Sequence, residues 1–168
     1  MVAFTGHCMM GVYDGEQHIR KLIGIMNDRG RNIPKTVDGF PDSPFEDFEC
    51  LIGDIKNGGA TICRFSTGMN SDIFQAVAVP HQKLINTAGL IVAYGGILAV
   101  IVTSYLLSWW LLILGPIAFI IGSKITKNAY NEAILTSAIY SEIIFCFMYY
   151  ARIVSIEAGG EHYYHKTD

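Results

Sequence analysis

Residues 84–123 read LINTAGLIVAYGGILAVIVTSYLLSWWLLILGPIAFIIGS and contain no Asp, Glu, Lys or Arg. Lys83 and Lys124 bound this uncharged run. An element built from it would be apolar on both faces, and the hydrocarbon core of a bilayer is the natural solvent for such a segment. The sequence therefore predicts an integral membrane protein.

The length of the run predicts two passes rather than one. A single helix would rise about 60 Å at ~1.5 Å per residue, twice the hydrocarbon thickness of ~30 Å. We place the break at Tyr105–Ser108, because Trp109 and Trp110 prefer the headgroup interface. Gly115-Pro116 is the rival break, which we interpret as a kink inside the second helix. We thus expect a transmembrane helical hairpin over residues 83–125.

Small residues recur on both predicted helices at a spacing that permits close helix contact in lipid. The alternative is that Gly and Ala are simply frequent in membrane helices. Lysines 83, 124 and 127 flank the run, so both hairpin ends are predicted on the cytoplasmic or equivalent side. A re-entrant hairpin predicts the same placement. The candidate helix-packing seam comprises Gly95, Ala99, Thr103, Gly115, Ala118 and Gly122.

Residues 126–157 predict an aromatic-rich amphipathic helix, either interfacial or a third membrane helix. Ile134–Val154 would just span a bilayer, but Glu142 in its middle would cost about 2.5–3.5 kcal/mol there. We therefore favour a helix at the interface, on the soluble module or against a partner. If the helix spans, Glu142 is a candidate intramembrane carboxylate for a proton or cation. The candidate interface anchors are Trp109, Trp110, Tyr149 and Tyr150.

Residues 1–82 predict a small α+β soluble module. One helix is expected to start at a capping box at Asp14 and to stop at Gly30, and a second to start at Ser43 and to stop at Gly58. Residues 158–168 are expected to form a flexible polar tail. Strands are predicted at Cys8–Tyr13, Asn32–Gly39, Ala60–Phe65 and Phe74–Val79.

Composition argues against several functions. The net charge of −3 gives no electrostatic footprint for nucleic acid. The cysteines lack CxxC spacing and are interpreted as reduced thiols. His7 and Cys8, with the histidine and cysteines elsewhere in the module, lack the ligand spacing of a zinc site. His162 and His165 are similar to a metal-binding pair, but we interpret them as part of a solvated polar tail. We therefore expect no catalytic, cofactor or metal site. The four cysteines are Cys8, Cys50, Cys63 and Cys146.

These patterns favour a non-catalytic accessory or assembly subunit of a larger membrane complex. Its expected partners are the lipid bilayer and other membrane-protein subunits or further copies of itself. The layout is similar to that of accessory subunits of large membrane complexes and of bacterial effectors that insert a helical hairpin into a host membrane. The alternatives are a small channel, pore or ion-coupled component using Glu142, a membrane-inserting effector, and a membrane-tethered enzyme with its site in residues 1–80.

Overall fold

The computed structural model describes residues 6–28, 30–65, 71–106 and 112–166, with side chains from Asp14 onward. The chain is mainly helical, with one small three-stranded sheet. It divides into two compact units. Unit 1 combines residues 1–78 with 134–168, and unit 2 is residues 79–133.

The elements follow one another in chain order. They are α1 (Gly6–Asp28), a 3-10 turn (Val37–Gly39), α2 (Phe48–Asn57), β1 (Ala60–Arg64), α3 (Ser71–Val77), α4 (Pro80–Leu90), a π-helical segment (Ile91–Gly95), α5 (Gly96–Leu106), α6 (Leu114–Tyr140), α7 (Glu142–Tyr150), β2 (Val154–Ala158) and β3 (Glu161–Tyr163).

Three segments predicted as strands are not strands. Cys8–Tyr13 lies inside α1, which therefore starts before the predicted capping box at Asp14. Most of Phe74–Val79 is helical in α3. Asn32–Gly39 forms no strand and ends in the 3-10 turn. Short apolar pieces fit either the helix or the strand period, so tertiary packing decides between them.

Two of these pieces belong to helices that pack closely on each other, α1 and α3. A β-carbon at Gly15 would lie 2.7 Å from the carbonyl oxygen of Ala76 and 3.2 Å from Cα of Val77. Only glycine allows the backbone of α1 to approach α3 this closely. Ile73, Phe74 and Val77 are buried.

Helix α2 begins at Phe48 rather than at Ser43. The N-cap is Asp47, whose carboxylate accepts the N–H of Cys50 at 2.7 Å. Ser43 instead forms a separate turn, in which its hydroxyl accepts the N–H of Phe45 at 3.2 Å. A side-chain oxygen at the N-cap satisfies a free backbone donor of the first turn, and Asp47 is in position to supply it.

Three helices of unit 1 end in the same way, with a left-handed residue one or two positions beyond the last helical residue. Gly30 and Gly58, with φ of +80° and +76°, confirm the predicted stops of α1 and α2. Arg152, with φ of +54°, ends α7. This is the Schellman arrangement. Its closing bonds run from Arg31 N to Met26 O (3.1 Å), from Gly59 N to Asp54 O (2.9 Å) and from Ile153 N to Met148 O (2.8 Å).

The sheet joins the two chain segments of unit 1. β1, which confirms the prediction for Ala60–Phe65, pairs antiparallel with β2, with Ala60 opposite Ala158. β2 turns into β3 through Gly159-Gly160, whose φ values of +61° and +82° match a two-residue type I′ hairpin. Residues 161–163, in the expected flexible tail, are therefore a paired strand.

The core of unit 1 is built on α7. Ile144–Tyr149 are buried, and Tyr149 stacks on Phe145 and meets the edge of Phe40. Ser141 has an extended backbone and separates α6 from α7, so the expected continuous helix over residues 126–157 is broken. Other buried core side chains are Ile19, Ile23, Val37, Leu51, Val154 and Ile156.

Candidate functional site

One helix among the described residues is long and apolar enough to cross a membrane. It comprises α4, the π segment and α5, which run without interruption over the 27 residues Pro80–Leu106. Helix α6 is equally long, at 27 residues, but it is not apolar enough, because Lys124 and Lys127 fall in every membrane-length stretch of it. Residues 107–111 lie outside the described chain. A transmembrane hairpin of two spans is therefore not shown.

Within unit 2, the helix Pro80–Leu106 packs antiparallel on α6. The pairing runs from Gly89 beside Thr126, through Ala93 beside Gly122, to Gly96 beside Ala118. A β-carbon at Gly89 would lie 2.5 Å from Oγ1 of Thr126 and 3.0 Å from the carbonyl oxygen of Gly122. One at Gly122 would overlap the backbone of Ala93. The two backbones are thus in direct contact.

The predicted seam agrees with this contact on one helix and not on the other. Gly122 and Ala118 lie at the contact, and a β-carbon at Gly115 would meet Val100 at 3.8 Å. On the first helix, Gly89, Ala93 and Gly96 make the contact instead. The predicted Gly95, Ala99 and Thr103 are exposed and lie on another face.

The outward surface of unit 2 is apolar. Among the described residues, all exposed large hydrophobic side chains except Ile25, Phe65 and Tyr140 belong to this unit. Leu98 and Ile120, each 64% exposed, are typical members. Such a contiguous apolar surface marks a site of interaction with lipid or protein. The largest exposures are at Leu84, Ile91, Tyr94, Leu98, Tyr105, Leu106, Ile113 and Ile120.

Charged groups of unit 2 lie between the level of Ile91 and the end of the helix pair that holds His81 and Glu132, which we call the open end. His81 Nε2 and Glu132 Oε1 approach to 4.0 Å across the two helices. Lys124 and Lys127 are exposed and Lys83 is half-exposed. No ion pair of these lysines occurs within the described part of the chain.

The other predicted site residues lie in unit 1 or outside the described residues. Glu142 stands in the first turn of α7, where its carboxylate accepts the N–H of Val37 at 3.0 Å. Tyr149 is fully buried, and its hydroxyl donates to the carbonyl of Asp42 at 3.2 Å. Tyr150 stacks on His165. Trp109 and Trp110 fall outside the described residues.

The thiols described in unit 1 have raised pKa values. The Asp47 carboxylate, through its hydrogen bond and negative charge, raises the pKa of the exposed Cys50. Burial first, and then Glu157, raise that of Cys63. Burial raises the pKa of Cys146 to about 12. A thiol is nucleophilic only as the thiolate, so these environments oppose cysteine chemistry at neutral pH.

Histidines in the C-terminal segment do not converge on a metal site. His165 lies 3.6 Å from Asp42, from its Nδ1 to Oδ2, and its ring stacks on Tyr150. His162 is exposed on β3. In the described ranges no group of three or more His, Cys, Asp or Glu side chains has the arrangement of a metal site.

Sequence reasoning missed two features that a local signal could have revealed. The pair Gly159-Gly160 lies between two short segments that could pair as strands, and such a Gly-Gly pair is a recognised signal for a β-hairpin. It would have predicted β2 and β3. Gly89, with Ala93 and Gly96, belongs to a second row of small residues that the predicted seam left out.

No protein-family model matches this chain, and neither a curated protein nor a solved structure matches it significantly.

The helix contact in unit 2 predicts opposite sensitivities at two glycines. We expect Gly122→Ala to destabilise unit 2 by about 1–3 kcal/mol, because its β-carbon meets backbone that cannot rotate away. Gly95→Ala is the matched control. A β-carbon at Gly95 would meet only the side chain of Ile91, on the same helix, at 3.8 Å among the described residues. Both tryptophans lie in unit 2, so thermal unfolding in detergent followed by tryptophan fluorescence reports on this unit. Equal midpoints for the two variants would contradict the packing.

The thiol environments predict slow alkylation that speeds up as pH rises. Cys50 is the sharpest case, because Asp47→Asn removes the charge that raises its pKa while Asn still caps α2. We expect a lower Cys50 pKa and faster reaction with iodoacetamide at pH 8 in this variant. Asp54→Asn is the control, since Asp54 contributes least. Mass spectrometry of the labelled peptides gives the rates. Fast labelling of Cys63 in the wild-type protein at pH 7 would contradict its raised pKa and would favour the membrane-tethered enzyme.

Proposed function

We propose that this protein is a non-catalytic integral membrane protein that acts as an accessory or assembly subunit of a larger membrane complex. Unit 2 inserts into the bilayer as a helical hairpin, with both of its ends on the cytoplasmic or equivalent side. Unit 1 remains outside the hydrocarbon. The observation that carries this proposal is the apolar surface of unit 2, which is unlike that of unit 1.

Energetics support insertion of both helices of unit 2. Burial of one Leu or Ile side chain contributes about 1.5–3 kcal/mol, and many such side chains are more than half exposed here. The backbone of each helix is satisfied internally, as a membrane span requires. At Gly89, Ala93 and Gly122 the two helix backbones approach as closely as helices commonly do in lipid.

A role in a larger assembly is supported by the face of the first helix that the α6 contact leaves free. Gly95, Ala99 and Thr103 are exposed there, at the spacing that lets a further helix approach closely. Thr103 donates its hydroxyl to the carbonyl of Ala99 at 2.9 Å, so it adds no unpaired polar group to this face.

No observation favours the alternative of an ion pathway through Glu142. This carboxylate belongs to unit 1 and accepts a backbone N–H of the same unit. The tethered-enzyme alternative is disfavoured by the raised pKa values of Cys50 and Cys63.

Insertion predicts different responses to a new charge in the two units. We expect Leu98→Asp to make insertion less favourable by about 2.5–3.5 kcal/mol, because an unpaired carboxylate near the bilayer centre is costly. Ile25→Asp is the matched control, since Ile25 is 50% exposed on unit 1. The readout is the fraction of chain that resists alkaline extraction after cell-free synthesis with vesicles. Equal extraction of both variants and wild type would refute insertion through unit 2.

The assembly role predicts chains that accompany this protein in fixed ratio. We expect extraction in mild detergent, native-size separation and mass spectrometry to identify stoichiometric partner subunits. Leu98→Asp provides the comparison, because a protein that fails to insert should lose these partners. A monodisperse particle holding only one copy would overturn the subunit role and leave membrane anchoring in place.

A further inference from the structure

The register of the two helices in unit 2 places lysines deep along the pair. Because Gly89 lies beside Thr126 and Ala93 beside Gly122, Lys124 is level with Ile91. From that level to Leu106 the first helix has the π segment and α5, of 5 and 11 residues. This is a rise of about 24 Å, less than the ~30 Å of hydrocarbon in a bilayer.

In a pair inserted as far as Leu106, the backbone of Lys124 thus lies about 6 Å inside the hydrocarbon, within reach of the headgroup layer for a lysine side chain. Its long side chain can extend along the helix towards the surface and keep its ammonium group in the headgroup layer. Lys127 lies one turn nearer the surface, and Lys83 nearer still, beside the open end. At the level of Lys124 the other helix presents Ile91, 65% exposed, so cationic and apolar groups meet the same layer of the membrane.

Charge is distributed unevenly between the units. Unit 2 carries three lysines and one glutamate, whereas the rest of the chain carries nine basic and fourteen acidic residues. Glu132 is engaged with His81, and none of the three lysines has an ion-pair partner among the described residues. These lysines are thus available to anions at the membrane surface.

From the register and the charges we infer that Lys83, Lys124 and Lys127 bind the headgroups of anionic phospholipids where unit 2 enters the bilayer. This inference rests on the proposed insertion of unit 2. Each lysine near an anionic surface strengthens binding by roughly five-fold, which corresponds to about 1 kcal/mol. The preference weakens as salt is added, because exposed charges are screened over ~10 Å at 0.1 M.

Two kinds of vesicle test the inference. Full-length protein is synthesised with vesicles of phosphatidylcholine alone or of phosphatidylcholine mixed with phosphatidylglycerol. The vesicle concentration at which half of the chain floats is then measured. We expect a lower concentration for the anionic vesicles, and a preference reduced roughly 25-fold in the double variant Lys124→Gln, Lys127→Gln. The control is Lys21→Gln, Lys35→Gln, which removes two exposed lysines from unit 1.

Each outcome decides one question. Loss of the preference in the unit 2 variant but not in the control supports the inference. Equal flotation of wild-type protein with both vesicles overturns it and leaves insertion standing. An equal loss in both double variants also overturns it, because net charge alone would then be responsible. Failure to float with either vesicle overturns the proposed insertion and the inference together.

Discussion

The contact of Ala93 with Gly122 is made by backbone against backbone, with no side chain between them that could adjust. It fixes the register of the two helices in unit 2 within a fraction of a turn. That register determines which side chains point outward and at which level along the helix pair each lysine lies. The apolar exterior and the position of Lys124 both follow from this contact.

Unit 1 uses a different physical solution for its core. Three of its helices end at left-handed residues, and its aromatic groups cluster around the buried Tyr149. Unit 2 buries mainly small residues at the helix contact and leaves its large side chains outside. The two units thus suit different solvents, although they belong to one chain.

Sequence reasoning succeeded where one strong signal was decisive. The uncharged run predicts two apolar helices of membrane length, of which one, Pro80–Leu106, is present among the described residues. Gly30 and Gly58 predict helix ends, and both are confirmed. It failed at Cys8–Tyr13 and Phe74–Val79, because a short apolar piece carries no period that separates strand from helix. It also chose Gly95 over Gly96 for the seam, since a helix that is apolar all round offers no polar face from which to orient it.

The pairing of β1 with β2 joins residues near 60 to residues near 156, so unit 1 cannot be completed until unit 2 has been synthesised. Closing so long a loop carries an entropic cost that grows with the logarithm of its length. The helix pair reduces this cost, because it brings His81 within 4.0 Å of Glu132 and removes the residues between them from the effective loop. The gain is below about 1 kcal/mol in free energy, but the order of events matters more. On the ribosome, the first half of unit 1 therefore stays unfinished while residues 79–133 are synthesised, and it can close only when residues 134–168 follow.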